Sequence, residues 1–151
     1  MANVDWILKQ FNDLTPKELY DILQLRNEVF IVEQNCPYQD LDNKDLKATH
    51  LMSMKENNLL AYSRLLAPGI SYRESSIGRI VTSPSVRKTG MGKRLMEESI
   101  RQIENLFHSG TIRIGAQLYL KKFYESFGFI QQSDAYLEDN IPHIIMLRKP
   151  K

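Results

Sequence analysis

Apolar residues change their spacing several times along the chain, and each change marks an element. Val4 to Phe11 reads as a short first strand. Thr15-Pro16-Lys17-Glu18 then carries a helix start, with Thr15 as cap, Pro16 at the first helical position and Glu18 at the third. Leu19, Ile22, Leu23, Arg26 and Val29 recur at intervals of three and four, so one face of that helix is expected to be buried. Phe30-Ile31-Val32 ends the helix or extends beyond it. Asn35-Cys36-Pro37-Tyr38 forces a loop, because a residue before proline avoids helical angles. Gln39 to Lys47 is polar, with Asp40, Asp42 and Asp45 interleaved, and reads as loop or a frayed helical turn.

Strands follow. His50 to Met54 and Leu60 to Leu66 flank Lys55-Glu56-Asn57-Asn58, a hairpin turn. Ser76 to Thr82 is a further strand, stopped by Ser83-Pro84. From Met91 the apolar positions become Met91, Leu95, Met96, Ile100, Ile103 and Phe107, which is helix spacing closed by Gly110. Thr111 to Gln117 returns to strand, with Ile112, Ile114 and Ala116 on one face. Tyr119 to Phe127 is helical through Leu120, Phe123, Tyr124 and Phe127, with Gly128 as its stop. Phe129 to Ser133 and His143 to Leu147 are the last two strands, with a polar connection between them. The mixture predicts an α/β sandwich, in which Ser76 to Gln117 forms a parallel, right-handed strand–helix–strand unit.

Composition narrows the class. At 151 residues the chain is one domain with a real core. Its net charge of +2 is too small for a general nucleic-acid binder, and its basic and aromatic residues do not interleave as an RNA surface requires. The single cysteine, Cys36, allows no intrachain disulfide and no metal-ligand pattern. Asp40, Asp42 and Asp45 lack the glycine and glutamate of a calcium loop, and are expected to form a solvated or substrate-facing acidic stretch. No metal is expected. Without a signal-peptide pattern or an apolar run of ~20 residues, the expectation is a cytoplasmic protein with no membrane partner.

The chemistry concentrates in Arg87-Lys88-Thr89-Gly90-Met91-Gly92-Lys93-Arg94, a basic turn between a strand and a helix. The first N–H groups of a helix lack internal partners, and two glycines let a bulky anion approach the backbone. No Gly-Lys-Ser/Thr follows, so this is not a nucleotide-triphosphate loop. Leu95 stands where a dinucleotide fingerprint needs glycine. Alone, the turn is equally compatible with a basic surface bend.

Arg87-Lys88-Thr89-Gly90-Met91-Gly92 resembles the Arg/Gln-x-x-Gly-x-Gly/Ala signature of the GCN5-related N-acetyltransferase (GNAT) superfamily. The resemblance covers nearly the whole chain and narrows to the ElaA-like group. It is carried by Leu25 to Tyr38, Ile77 to Val81, Ala116 to Phe129 and Tyr136 to Ile144, in that order. The pattern departs at Lys88, Asn43 and Asn140, where the family usually has glycine. The resemblance implies a mixed, partly splayed central β-sheet with helices on both faces, forming a single acetyltransferase domain over residues 1–151. It further implies acetyl-coenzyme A as co-substrate, its pyrophosphate on backbone N–H groups from Lys88 through Thr89, Gly90, Met91 and Gly92 to Lys93. Arg87 adds charge there, and the pantetheine arm runs along Ile80, Val81 and Thr82.

Direct transfer to an amine needs a base for the amine and a proton for the departing thiolate. The resemblance places Tyr124 near the coenzyme sulfur, where a phenol can donate that proton. Candidates for the base are Glu33, then His143, then Glu138, with His50 of a suitable type. Gln117 could bond the pantetheine or shape the acceptor pocket. Arg26, Arg79 and Asp139 are candidates for the acceptor side, and Arg79, a charge inside a strand, could pair with Glu33 or line the cleft. Cys36 reads as a structural thiol.

The expected function is acetyl transfer to a small-molecule or peptide amine. Two alternatives stand beside it: a coenzyme A or acyl-coenzyme A sensor with little transfer activity, and an acyltransferase using a longer acyl chain or a non-amine acceptor. An apolar strand edge could pair two copies as a homodimer.

Overall fold

A computed structural model describes residues 3–150. Strand β1 (Asp5–Gln10) leads into helix α1 (Pro16–Arg26), which starts as its sequence requires. The Glu18 N–H donates to Thr15 Oγ1 (3.1 Å), and the Thr15 N–H donates to the Glu18 carboxylate (2.8 Å). Beyond Arg26 the backbone does not stop but widens into a π-helical segment, Asn27–Glu33, which takes in Phe30-Ile31-Val32. Segments of this kind carry a distorted backbone that recurs at functional sites.

Strands β2 (Thr49–Lys55) and β3 (Asn58–Leu66) form the expected hairpin; Glu56 and Asn57 at its tip both have positive φ, as a two-residue turn with this twist requires. Strand β4 (Ser76–Thr82) completes an antiparallel sheet in the order β1-β2-β3-β4. Alternation along β2 and β3 sends successive side chains to opposite faces. Met52 and Tyr62 pack with Ile22, Leu25 and Val29 of the α1 layer. Leu51, Ala61 and Leu65 pack instead with Leu95, Met96 and Ile103 of helix α2 (Met91–Phe107). Helices thus cover both faces, as expected.

Helix α2 ends earlier than the glycine suggested. His108 adopts the left-handed cap (φ 57°) and its N–H donates to the Glu104 carbonyl at 2.9 Å. Gly110 serves packing instead: a methyl there would lie 2.9 Å from the Glu104 carboxylate.

The second sheet holds β5 (Ile112–Gln117), β6 (Phe129–Gln131), β7 (Tyr136–Glu138) and β8 (Ile141–Arg148), with β8 pairing antiparallel to the other three. Between β5 and β6, a tight turn at Leu118–Leu120 precedes the short helix α3 (Lys121–Glu125), and Gly128 (φ 91°) stops it. The segment read as a polar connection before His143 is in fact the tip of the β7–β8 hairpin, with Asp139 and Asn140 both at positive φ.

The two sheets meet through β4 and β5, which run parallel; their one bridge among the described residues joins Ser75, just before β4, to Ile112, where the Arg113 N–H donates to the Ser75 carbonyl at 3.0 Å. From there the strands splay. A bulge helps to open them: Tyr62 faces Val81 and Arg64 faces Gly78, so Ser63 is opposed by both Arg79 and Ile80, and Arg79 takes a left-handed φ of 49°.

Candidate active site

The splay opens a cleft of about 500 Å³, a size suited to a small ligand. One wall is β4. Past Ser75 its outer edge forms no ladder with β5, leaving the backbone of Ile80, Val81 and Thr82 beside the cleft. Val81 is buried against α1, so what it offers there is backbone.

Beyond Thr82 the chain turns through Pro84–Val86 into the basic segment. Arg87 lines the cleft, whereas Lys88 to Lys93 continue outside its enclosed part. Lys88 (φ 63°) and Gly90 (φ 86°) both take left-handed angles, and the Thr89 hydroxyl donates to the Val86 carbonyl. No side chain caps α2, so its first-turn N–H groups have no such partner. The space a Cβ would fill is empty at Gly90, and at Gly92 its nearest neighbour is Phe123 at 3.9 Å. An uncapped helix start with open glycine positions fits a pyrophosphate held by backbone N–H groups. Met91 is buried, so only its N–H is available to a ligand there.

Tyr124 of α3 lines the same cleft, 6% exposed, with its ring edge-on to Phe123 and Phe129. Burial pushes its phenol well above the ordinary range, so it stays protonated and is a donor. Gln117 ends β5 with its amide 3.4 Å from Gln34 of the loop after the π-helix.

The register of the second sheet brings Gln117, His143 and Tyr136 into one row. His143 Nδ1 lies 2.7 Å from the Ile141 carbonyl, which only accepts, so in the neutral ring that nitrogen carries the proton and Nε2 is free. Glu138 Oε2 stands 3.4 Å from Nε2. The Tyr136 ring stacks on the imidazole at 6.0 Å. Asp139 is exposed at the hairpin tip, and its carbonyl accepts from Cys36 Sγ at 3.4 Å. The buried thiol thus ties the hairpin to the loop after the π-helix.

Glu33 is placed differently from a free base. Both guanidinium Nη atoms of Arg87 donate to its carboxylate, at 2.9 and 2.6 Å. These bonds hold the carboxyl below its usual range. His50 is buried between the Tyr62 hydroxyl (2.6 Å) and the Asp45 carbonyl (2.9 Å), and burial lowers its pKa. It has no free nitrogen for a substrate.

The largest departure from expectation is the acidic stretch. Asp40, Asp42 and Asp45 are not a solvated run; they bind three arginines that the fold brings to them. Arg26, 0% exposed, donates from Nε to Asp40 (2.9 Å) and from Nη1 to Asp45 (2.8 Å). Arg64, 3% exposed, grips Asp42 with both Nη atoms at 2.7 and 3.0 Å. Arg79 Nε lies 2.7 Å from Asp40, and its Nη2 donates to the Asp40 carbonyl at 2.8 Å, so it does not pair with Glu33. Charge balance explains the burial: a buried arginine needs a carboxylate, and three find three. Arg26 lies behind the cleft wall and does not line it; Arg64, Arg79 and Asp42 do.

Arg64, Tyr72 and Tyr136 are among the cleft residues that escaped the sequence reading. Tyr72, from the loop before β4, and Tyr136 both bring their hydroxyls over Gly115 of β5. A glycine inside a strand signals a close approach by another group, and that signal was present at Gly115.

A family model described as an acetyltransferase (GNAT) domain matches residues 12–149. The Escherichia coli protein ElaA is 38% identical over 148 residues, covering 97% of each chain. A UPF0039 protein of Schizosaccharomyces pombe is 44% identical with the same coverage. Among solved structures, an acyl-CoA N-acyltransferase from Pseudomonas aeruginosa superposes with a TM-score of 0.92 at 45% identity, over 97% of this chain and 99% of that one. The chain therefore belongs to the GNAT acetyltransferase family, whose members transfer acyl groups from acyl-coenzyme A to an acceptor.

Proposed function

We propose that this protein transfers an acetyl group from acetyl-coenzyme A directly to the amine of a small acceptor. The observation that carries the proposal is the meeting, in one cleft, of an unpaired β4 edge, a protonated phenol at Tyr124 and a free imidazole nitrogen at His143. The N–H groups from Lys88 to Lys93, with the Arg87 charge, hold the pyrophosphate. The backbone of Ile80 to Thr82 and the Gln117 amide position the pantetheine arm.

An alkylamine with a pKa near ~10 reaches the site as an ammonium and must lose a proton before it can attack. His143 Nε2 takes that proton, and the Glu138 carboxylate 3.4 Å away stabilises the imidazolium that results. As the C–S bond breaks, Tyr124 gives its proton to the departing thiolate and recovers one from the newly acylated nitrogen. Glu33, occupied by Arg87, holds the phosphate turn against the π-helix rather than serving as base. His143 is the base in this reading, with Glu138 as its partner.

Thiol release from acetyl-coenzyme A across a panel of primary amines, with coenzyme affinity measured in parallel, tests this reading. His143→Gln is expected to lower kcat roughly 10²-fold and to flatten the acid limb of the pH profile. Glu33→Gln should change chiefly the affinity for the coenzyme. Tight coenzyme binding with no thiol release for any amine would assign the chain to the sensor reading. Faster turnover with a longer acyl thioester would move it to the third.

A further inference from the structure

Along β5, Ile112, Ile114 and Ala116 are buried in the core, leaving Arg113, Gly115 and Gln117 on the opposite face. At Gly115 this row is interrupted, and the gap is filled from elsewhere. A methyl group there would stand 3.2 Å from the Tyr136 hydroxyl and 3.3 Å from that of Tyr72. Two phenols from distant segments thus converge on one point, and neither hydroxyl has a hydrogen-bond partner among the described residues.

The charge of this corner is negative. Arg113 is paired with Glu74, which accepts from Nε and Nη2 at 2.9 and 3.0 Å. Glu138, largely exposed, has His143 as its one ion-pair partner among the described residues. Burial first, and the Glu138 charge second, push Tyr136 above the ordinary tyrosine range, and the same two raise Tyr72 against a smaller opposing influence from Arg113. Both phenols therefore stay neutral and offer oxygen lone pairs. A phenol oxygen can accept from an ammonium, and the Glu138 charge that reaches both phenols favours a cation over an anion there.

Gly115 and Gln117 are two residues apart on one face, roughly 7 Å along the strand, and Gln117 is paired across to His143. We propose that Tyr72 and Tyr136 form a subsite over Gly115 for a second ammonium group on the acceptor, which selects a short, unbranched diamine. This rests on the acetyl-transfer reading above and adds to it the class of acceptor. A chain of about four or five carbons spans the distance between the two positions.

The experiment compares butane-1,4-diamine, butylamine and 4-aminobutyrate as acceptors, and measures binding of the diamine to the coenzyme A-loaded protein by calorimetry. The diamine is expected to exceed butylamine in kcat/KM by roughly tenfold, about the worth of one hydrogen bond to a charged group, with 4-aminobutyrate poorest. Tyr72→Phe and Tyr136→Phe should each reduce that preference, mainly through the KM for the diamine. Gly115→Ala, which displaces both hydroxyls while leaving them present, should do the same. Equal use of butylamine and the diamine would overturn the proposal, as would a preference for 4-aminobutyrate or an unchanged preference in all three variants. If no amine is turned over, the transfer reading fails and calorimetry alone decides the subsite: diamine binding weakened by Tyr136→Phe supports it, and no binding overturns it.

Discussion

Tyr124 and Tyr62 are both buried tyrosines, yet they stand in different chemical positions. Tyr62 donates to His50 Nδ1 and lies beneath the Arg26 guanidinium, 5.8 Å from ring centroid to Cζ, so its hydroxyl is occupied. Tyr124 has its ring held by Phe123 and Phe129, lines the cleft, and has a hydroxyl with no partner among the described residues. Tyr124→Phe keeps that ring packing and removes only the donor. We expect kcat to fall roughly 10²-fold while the dissociation constant for acetyl-coenzyme A hardly changes, as read by steady-state kinetics and calorimetry. An unchanged kcat would remove Tyr124 from the chemistry. His143 and Glu138 were legible as residue types, but which of the two imidazole nitrogens is free follows from the Ile141 carbonyl, a contact that spacing does not reveal.

At the scale of elements, what was legible is what is local. Thr15 and Glu18 define the start of α1 through contacts three residues apart, and Gly90 and Gly92 place the anion turn through backbone needs alone. These two starts make different predictions. Thr15→Ala removes a cap and should cost about 1 kcal/mol of stability, seen as a lower urea midpoint with kinetics unaltered. Gly90→Ala forces a φ of 86° on a residue with a side chain, costing roughly 1–2 kcal/mol, and should also weaken acetyl-coenzyme A binding. Normal coenzyme affinity in Gly90→Ala would show that the shape of the turn does not matter to the donor. Strand β7 was missed because none of Tyr136–Glu138 is buried, whereas the equally short β6 carries the buried Phe129. Gly110 misled because His108 adopted the left-handed angle first.

The whole molecule contributes what no window of sequence contains. Arg26 and Asp45 lie 19 residues apart, and Arg79 and Asp42 lie 37 apart, so their pairing is a product of the completed fold. Stability should carry its mark. Burial would raise the Asp42 carboxyl, but the bonds from Arg64 prevail and hold it at about 2, below its ordinary 3.8. A depressed native pKa means that its contribution is fully present above about pH 4 and is lost as pH falls towards 2. Asp42→Asn should therefore be less stable at neutral pH and lose less on acidification across that interval, measured as urea midpoint against pH. Parallel curves for the two proteins would show that Asp42 is not linked to acid unfolding.

The single bridge between Ser75 and Ile112 has one more consequence. The groups assigned to the donor fall mostly on the first sheet and the turn after it, whereas those assigned to the acceptor fall mostly on β5, β7 and β8. Each side of the seam is inherited as a separate stretch of gene, so exchange of the β7–β8 hairpin between relatives offers a route to a new acceptor that leaves the donor grip intact. The molecule is built as a handle with an exchangeable tool.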